Sequence, residues 1–287
     1  MRPLLLALCL LLAGCAGEPG ATTESSVVPA VAPTRSDGPD TSLDGPLYVP
    51  VSKPDHPDPK VRGGAAAGFV DCQGPIGNAG IAANFGASGG APTPDKAVDV
   101  FLEEGLFVLP NRGYRLARKE DGRALFVYEV GGRTRVALIV AWGPGTADTH
   151  GGKGWGIESF ATCDASEYAA EQDAGLPVTV WEDADGNRVP TTVVSSRQGH
   201  EHCGWQGVTF LRLRKQQFVG DPDGVIEQAP LQATFAADTD LPDDATDTGY
   251  RHDGDALWVA ADGNAVYLVG DDGVQRWPAA KSMIACR

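Results

Sequence analysis

Basic residues are scarce in this sequence. Its 287 residues include 38 Asp and Glu but only 23 Lys and Arg, so the formal net charge is −15 at pH 7. A surface of that sign repels a phosphate backbone, and no cluster of Lys and Arg interrupts it. The composition therefore argues against nucleic acid as a partner.

Long apolar runs are lacking as well. The longest lies at residues 4–12 and is too short to span a bilayer as a helix. It follows Arg2 and ends in the small residues Ala13 and Gly14, directly before Cys15. A basic start, a short apolar core and small residues at a cleavage site are typical of a signal peptide.

The tetrapeptide Leu12-Ala13-Gly14-Cys15 resembles the lipobox of bacterial lipoproteins. The resemblance implies that residues 1–14 are a signal peptide and that Cys15 becomes the lipid-bearing first residue of the mature protein. It also implies an extracytoplasmic protein that the lipid on Cys15 holds at the cell membrane. The alternative is an ordinary cleaved signal peptide in which this cysteine has no role.

Cysteines are few, and their number indicates disulfides. One of the six lies in the signal peptide and one is the acylation site, which leaves Cys72, Cys163, Cys203 and Cys286. Four thiols in an oxidising compartment are typical of two disulfides, for which sequence alone allows three connectivities. Because each half of the folded region holds one pair, we predict Cys72–Cys163 and Cys203–Cys286.

The chain divides into a linker and two folded parts. Residues 15–68 are rich in Pro, Gly, Ser, Thr and Asp and show no apolar periodicity, which predicts a lipid-anchored disordered linker.

Residues 69–174 are expected to form an α+β domain. Thr93 and Pro94 predict the start of a short helix, and Gly105 predicts its end. Apolar runs separated by turn residues predict antiparallel strands at residues 114–118, 125–130, 136–142 and 155–163.

Residues 175–287 show no helix of convincing length. Asp-Gly and Gly-Asn turns between short apolar runs predict an all-β domain, either a sandwich or a partly open barrel. The predicted fold class is thus α+β, with a mostly antiparallel all-β second part. Several segments of this half resemble uncharacterised secreted proteins of actinobacteria: 202–205, 210–213, 221–225, 247–250 and 276–278. That resemblance implies export and a small β-rich fold, but no reaction.

The sharpest polar cluster is His200-Glu201-His202. In an extended segment both imidazoles would project from one face and could ligate a metal. A metal site needs three or four ligands, however, and Cys203 is expected to be in a disulfide. We therefore predict exposed loop histidines and no cofactor. The alternative is an extracytoplasmic metal-binding protein or hydrolase that uses these residues, with His150 or His252 as a further ligand.

No assembled catalytic set is evident. The sequence contains no Ser-x-x-Lys motif, and formation of both disulfides would leave no free thiol. The sequence thus favours a non-enzymatic surface lipoprotein that binds an envelope component or a partner protein.

Overall fold

The computed structural model describes residues 43–81, 90–105, 107–120, 122–144 and 153–285. All of them lie in one compact unit, Ser36–Arg287. Few helices and mostly antiparallel sheets confirm the predicted α+β class. None of the helices in the described ranges is long and apolar enough to span a membrane. The predicted signal peptide, Cys15 and residues 15–42 of the predicted linker lie outside the described residues.

The first sheet has five strands in the order β1-β5-β4-β3-β2, and all neighbours are antiparallel. The strands are β1 (Asn78–Ile81), β2 (Arg115–Glu120), β3 (Arg123–Val130), β4 (Arg133–Pro144) and β5 (Lys153–Thr162). The β2-β3-β4 meander was predicted from its turns. Strand β1 was not predicted, because its sequence, Asn-Ala-Gly-Ile, has little strand propensity. It forms a strand because it pairs with β5.

Both faces of this sheet are buried. Leu138 and Ile139 are neighbours on β4, so their side chains point to opposite faces, yet both are fully buried. The helices are α1 (Pro59–Arg62) and α2 (Pro94–Glu103). One face of the sheet packs under α2 through Ala97 and Phe101. Thr93 caps this helix as predicted, because its hydroxyl accepts a hydrogen bond from the backbone N–H of Lys96 at 3.3 Å.

The other face is covered by the end of the predicted linker. Residues 43–68 are packed rather than disordered, so the prediction of a linker up to residue 68 was wrong for this part. Leu47 is buried against the sheet, and the guanidinium of Arg118 donates to the carbonyls of Leu43 and Gly45. Sequence periodicity could not detect this, because an irregular segment covers a sheet with apolar residues at no fixed spacing.

The second half forms two four-stranded antiparallel sheets around one core. One sheet contains β6 (Thr179–Val180), β7 (Val194–Gln198), β8 (Thr209–Leu213) and β9 (Gln216–Gly220). The other contains β10 (Thr246–His252), β11 (Asp255–Val259), β12 (Ala265–Gly270) and β13 (Gly273–Pro278). Their inner faces meet through Leu211, Phe218 and Leu257, which is the sandwich arrangement. Strand β10 was not predicted, because its sequence is largely polar.

Candidate functional site

One predicted disulfide is present. Cys72 and Cys163 are bonded, 91 positions apart in sequence, and they tie the chain before β1 to the end of β5. Cys203 is disulfide-bonded too. Its predicted partner, Cys286, lies outside the described residues.

The carboxylate of Glu167 lies beside the Cys72–Cys163 bond. Within the described ranges, these three residues are the one group of three or more whose Cys, His or acidic ligand atoms all lie within 4.8 Å of one another. The two sulfurs bond to each other, so neither is a thiolate ligand. Glu167 accepts from Arg135 Nη1 at 2.6 Å and from the backbone N–H of Gln73 at 2.7 Å. This cluster is therefore a structural network.

The His200–Glu201–His202 segment lacks the extended conformation that would place both imidazoles on one face of a strand. Glu201–Cys203 forms a single 3-10 turn, and the N–H of Cys203 donates to the carbonyl of His200 at 3.1 Å. Gly199 permits the turn, because a Cβ there would lie 2.4 Å from the carbonyl oxygen of Trp205.

The two imidazoles nevertheless lie side by side. The ring centroids of His200 and His202 are 5.4 Å apart, close enough for two ligands of one ion. No third ligand joins them within the described ranges. His252 packs on Trp181 with centroids 5.6 Å apart, and His150 lies outside the described residues. The metal-binding or hydrolase alternative thus stays a prediction.

A cleft of about 510 Å³ separates the sheet β6–β9 from the core of the first half. Strands β7, β8 and β9 form its floor. Ser195 pairs directly with Arg212, and Arg212 pairs with Gln217, so these three side chains share one face of the sheet. Arg197, two residues after Ser195, lies on the same face. Strand alternation therefore aims both arginines into the cleft.

The opposite wall of the cleft is apolar. It is formed by Phe107 and Val108, which follow helix α2, and by Leu176 and Val178. Phe107 packs on Phe160 of β5, with ring centroids 4.5 Å apart. Because this wall is continuous with the core of the first half, it is held in place independently of any ligand.

The charge of the cleft is opposite to that of the whole chain. Arg197, Arg212 and Lys215 line it, and no Asp or Glu is among its described lining residues. Elsewhere in the described ranges, seven arginines form ion pairs with carboxylates: Arg115, Arg118, Arg123, Arg133, Arg135, Arg188 and Arg251. No carboxylate in those ranges pairs with Arg197 or Arg212. Four other arginines in those ranges, Arg62, Arg112, Arg214 and Arg276, also have no ion pair. Arg197 and Arg212 differ from them in that both line the cleft.

The sequence pattern does not reveal this cleft, although it contains one signal of it. Only one acid, Glu201, lies between Asp185 and Asp221 in a chain rich in acids. The basic residues of this stretch are spread over several strands, so they do not read as a cluster. Only the strand register brings Arg197 and Arg212 onto one face.

A smaller hollow of about 200 Å³ continues the cleft toward the histidine turn. Arg197 and His200 line both spaces, and the hollow adds His202 and Trp205. The histidines predicted from sequence therefore lie at one end of the cationic cleft.

Two serines and a histidine line the cleft without forming a catalytic arrangement. Ser196 accepts a hydrogen bond from Trp181 Nε1 at 3.3 Å and faces the sandwich core. Ser195 and Gln198 stand at opposite ends of an extended segment that spans about 10 Å, and His200 lies beyond it. A nucleophilic serine needs its base within hydrogen-bond reach, and among the described residues no such bond joins His200 to either serine.

The sequence also contains one nucleophile-type motif. Gly86-Ala87-Ser88-Gly89-Gly90 matches the Gly-x-Ser-x-Gly pattern of the nucleophile elbow. Ser88 lies outside the described residues. The strand that precedes it, β1, is an antiparallel edge strand, whereas the elbow follows a strand of an α/β-hydrolase sheet. Strand β1 is thus not the kind of strand after which the elbow forms.

No protein-family model, curated protein or solved structure matches this chain.

Proposed function

We propose that this chain is a lipid-anchored, extracytoplasmic binding protein without catalytic activity. Its ligand, an envelope component, occupies the cationic cleft. The leader of residues 1–14 and the lipobox cysteine, Cys15, support the location and the membrane attachment. The membrane is thus one partner, through the lipid, and the cleft ligand is the other.

The observation that carries the binding role is the pair of unpaired arginines, Arg197 and Arg212, on the cleft floor. Guanidinium groups that line a concave site without a carboxylate partner are available to a ligand. The volume of about 510 Å³ is within the usual range for small-molecule sites. The lack of a hydrogen-bonded nucleophile and base among the described lining residues favours binding over catalysis.

The anchor is tested by replacing Cys15 with serine in the full chain, expressed in a bacterium that lipidates its own lipoproteins. We expect the wild-type protein to begin at an acylated Cys15 and the C15S variant to keep residues 1–14 without lipid. The measurement is intact-protein mass spectrometry of the membrane fraction. Cys9→Ser, within the leader's apolar run, is the matched control and should be processed normally. A wild-type protein that keeps Met1 and carries no lipid would contradict the anchor.

The cleft is tested by filling it. Ser195→Trp places a bulky side chain on the floor, next to Arg212, while Thr192→Trp places the same side chain at an exposed position that is not among the cleft-lining residues. We incubate the full chain with an extract of the producing cell's envelope and identify the retained compounds by mass spectrometry. The wild type and T192W should retain the same compound, and S195W at least tenfold less. Equal retention by S195W, or none by the wild type, would refute the cleft as the binding site.

A further inference from the structure

We infer that the ligand of the cleft is an amphipathic anion: an acidic group, of the phosphate-ester type, joined to a compact apolar part. This rests on the proposed binding function and names the class of ligand. The cleft has its charged groups on one side and its apolar groups on the other. The floor supplies cationic hydrogen-bond donors and the facing wall supplies apolar side chains.

The floor suits one anionic group with several acceptor oxygens. Arg197 and Arg212 are diagonal neighbours on adjacent strands, since Arg197 pairs with Phe210 and Arg212 stands two residues further along β8. Diagonal neighbours have their Cα atoms about 7–8 Å apart, which two long side chains can bridge to a shared acceptor. Phosphate offers acceptor oxygens to both guanidinium groups at once.

Arg212 is oriented before a ligand binds. Its Nε donates to the backbone carbonyl of Arg214 at 2.9 Å, and no described residue accepts from its two Nη atoms. An Arg that is held through Nε presents the rest of its planar donor fork in a fixed direction. The site thus offers directed donors as well as charge.

The turn between β8 and β9 explains how Arg212 is held. Arg214 has φ +56°, in the left-handed region that non-glycine residues rarely adopt. This conformation directs the Arg214 carbonyl to Arg212 and leaves the next residue, Lys215, among the cleft-lining residues. A positive φ at this position is what the two-residue connection between the paired Leu213 and Gln216 requires, so the hairpin itself accounts for the conformation.

The apolar wall excludes a plain inorganic anion as the best ligand. Phe107, Val108 and Leu176 offer the anion no hydrogen bond, so inorganic phosphate would use only the floor. A neutral hydrocarbon would use only the wall and would remove water from the guanidinium groups without replacing its hydrogen bonds. A ligand that carries both parts satisfies both surfaces.

A matched set of probes tests this division in the full lipidated chain by isothermal titration calorimetry in detergent. The probes are 1-naphthyl phosphate, 1-naphthol and inorganic phosphate. We expect 1-naphthyl phosphate to bind at least tenfold more tightly than either 1-naphthol or inorganic phosphate. Competition by dihexanoyl phosphatidylglycerol separates two sources of the same chemistry. If dihexanoyl phosphatidylglycerol displaces 1-naphthyl phosphate, the ligand is a phospholipid with its headgroup in the cleft. If 1-naphthyl phosphate binds tightly and the lipid does not displace it, the ligand is a soluble phosphate ester.

The variants assign the binding to the floor. Arg197→Ala/Arg212→Ala should weaken 1-naphthyl phosphate binding about 100-fold, since each charged hydrogen bond lost is worth roughly tenfold. Arg115→Ala/Arg251→Ala is the control, because it removes the same charge from two surface ion pairs and should change binding less than threefold. Lys215→Glu provides a second variant at an exposed turn and should also weaken binding at least tenfold. Near-ultraviolet circular dichroism confirms that each variant is folded.

Two outcomes would overturn the inference. One is 1-naphthol binding as tightly as its phosphate ester, and the other is an equal effect of the floor and control variants. Either result would leave the proposed binding function intact if an envelope compound is still retained by the wild type and lost in S195W. Failure of that retention experiment would instead refute the binding function itself.

Discussion

Replacing Arg135 with alanine is expected to lower the free energy of unfolding by about 3–5 kcal/mol, because it leaves a buried carboxylate without its cation. The side chains of Arg135 and Glu167 are only 4 % and 7 % exposed, and their ion-pair atoms are 2.6 Å apart. Burial lowers the pKa of Arg135, and the nearby charge of Glu167 opposes that effect. The protein therefore tolerates the buried guanidinium only because its partners are in place.

The measurement is urea unfolding monitored through tryptophan fluorescence. Arg115→Ala is the matched control: it breaks an ion pair with Glu129 in which the arginine is half exposed, and should cost no more than about 1 kcal/mol. Replacing both partners, with Arg135→Met and Glu167→Leu, should recover much of the loss, since no buried charge then remains unpaired. Equal effects of the Arg135 and Arg115 variants would show that the buried pair has no special role.

Removing the Cys72–Cys163 disulfide is expected to destabilise the protein by about 2–5 kcal/mol. The bond closes a loop of 91 residues, which restricts the unfolded chain more than a short loop would. The variant is Cys72→Ala/Cys163→Ala, which leaves no unpaired thiol at the site. Urea unfolding of the oxidised wild type and of this variant gives the difference.

The disulfide and the ion pair should not act independently. Glu167 lies within 4.8 Å of both sulfurs and accepts from the backbone N–H of Gln73, next to Cys72. Loss of the disulfide releases the backbone at Gln73 and weakens the hydrogen bond that its N–H donates to Glu167. We expect the combined variant to differ from the sum of the separate effects by at least 0.5 kcal/mol, as is usual for residues in contact. Additivity within error would mean that the two features stabilise separate regions.

Local signals predicted the elements that depend on local chemistry. Thr93 and Pro94 mark a helix start because a side-chain acceptor and a preset φ act within one turn. The turns between β2, β3 and β4 specify a meander because short connections force antiparallel neighbours. The Cys72–Cys163 pairing followed from the even division of cysteines between the two halves, and the structure has it.

Other features depend on partners that are distant in sequence. Strand β1 forms because it pairs with β5. Residues 43–68 pack because they cover an apolar face of the first sheet that would otherwise be exposed to water. The histidine turn depends on the close approach of Gly199 and Trp205. Such contacts leave no periodic trace in the local sequence, so the pattern predicted a linker at residues 43–68 and indicated neither strand β1 nor the turn at residues 201–203.

By itself, the sequence determined the acidic balance, the α+β class, the helix cap and the hairpin turns, because composition and short-range geometry suffice for each. Only the tertiary structure decided where the scarce positive charge is placed. Strand pairing brings Arg197 and Arg212 onto one face, and packing of the two halves sets Phe107 and Leu176 opposite them. A cleft is made by register and packing over long sequence separations, and these are properties that no local pattern records.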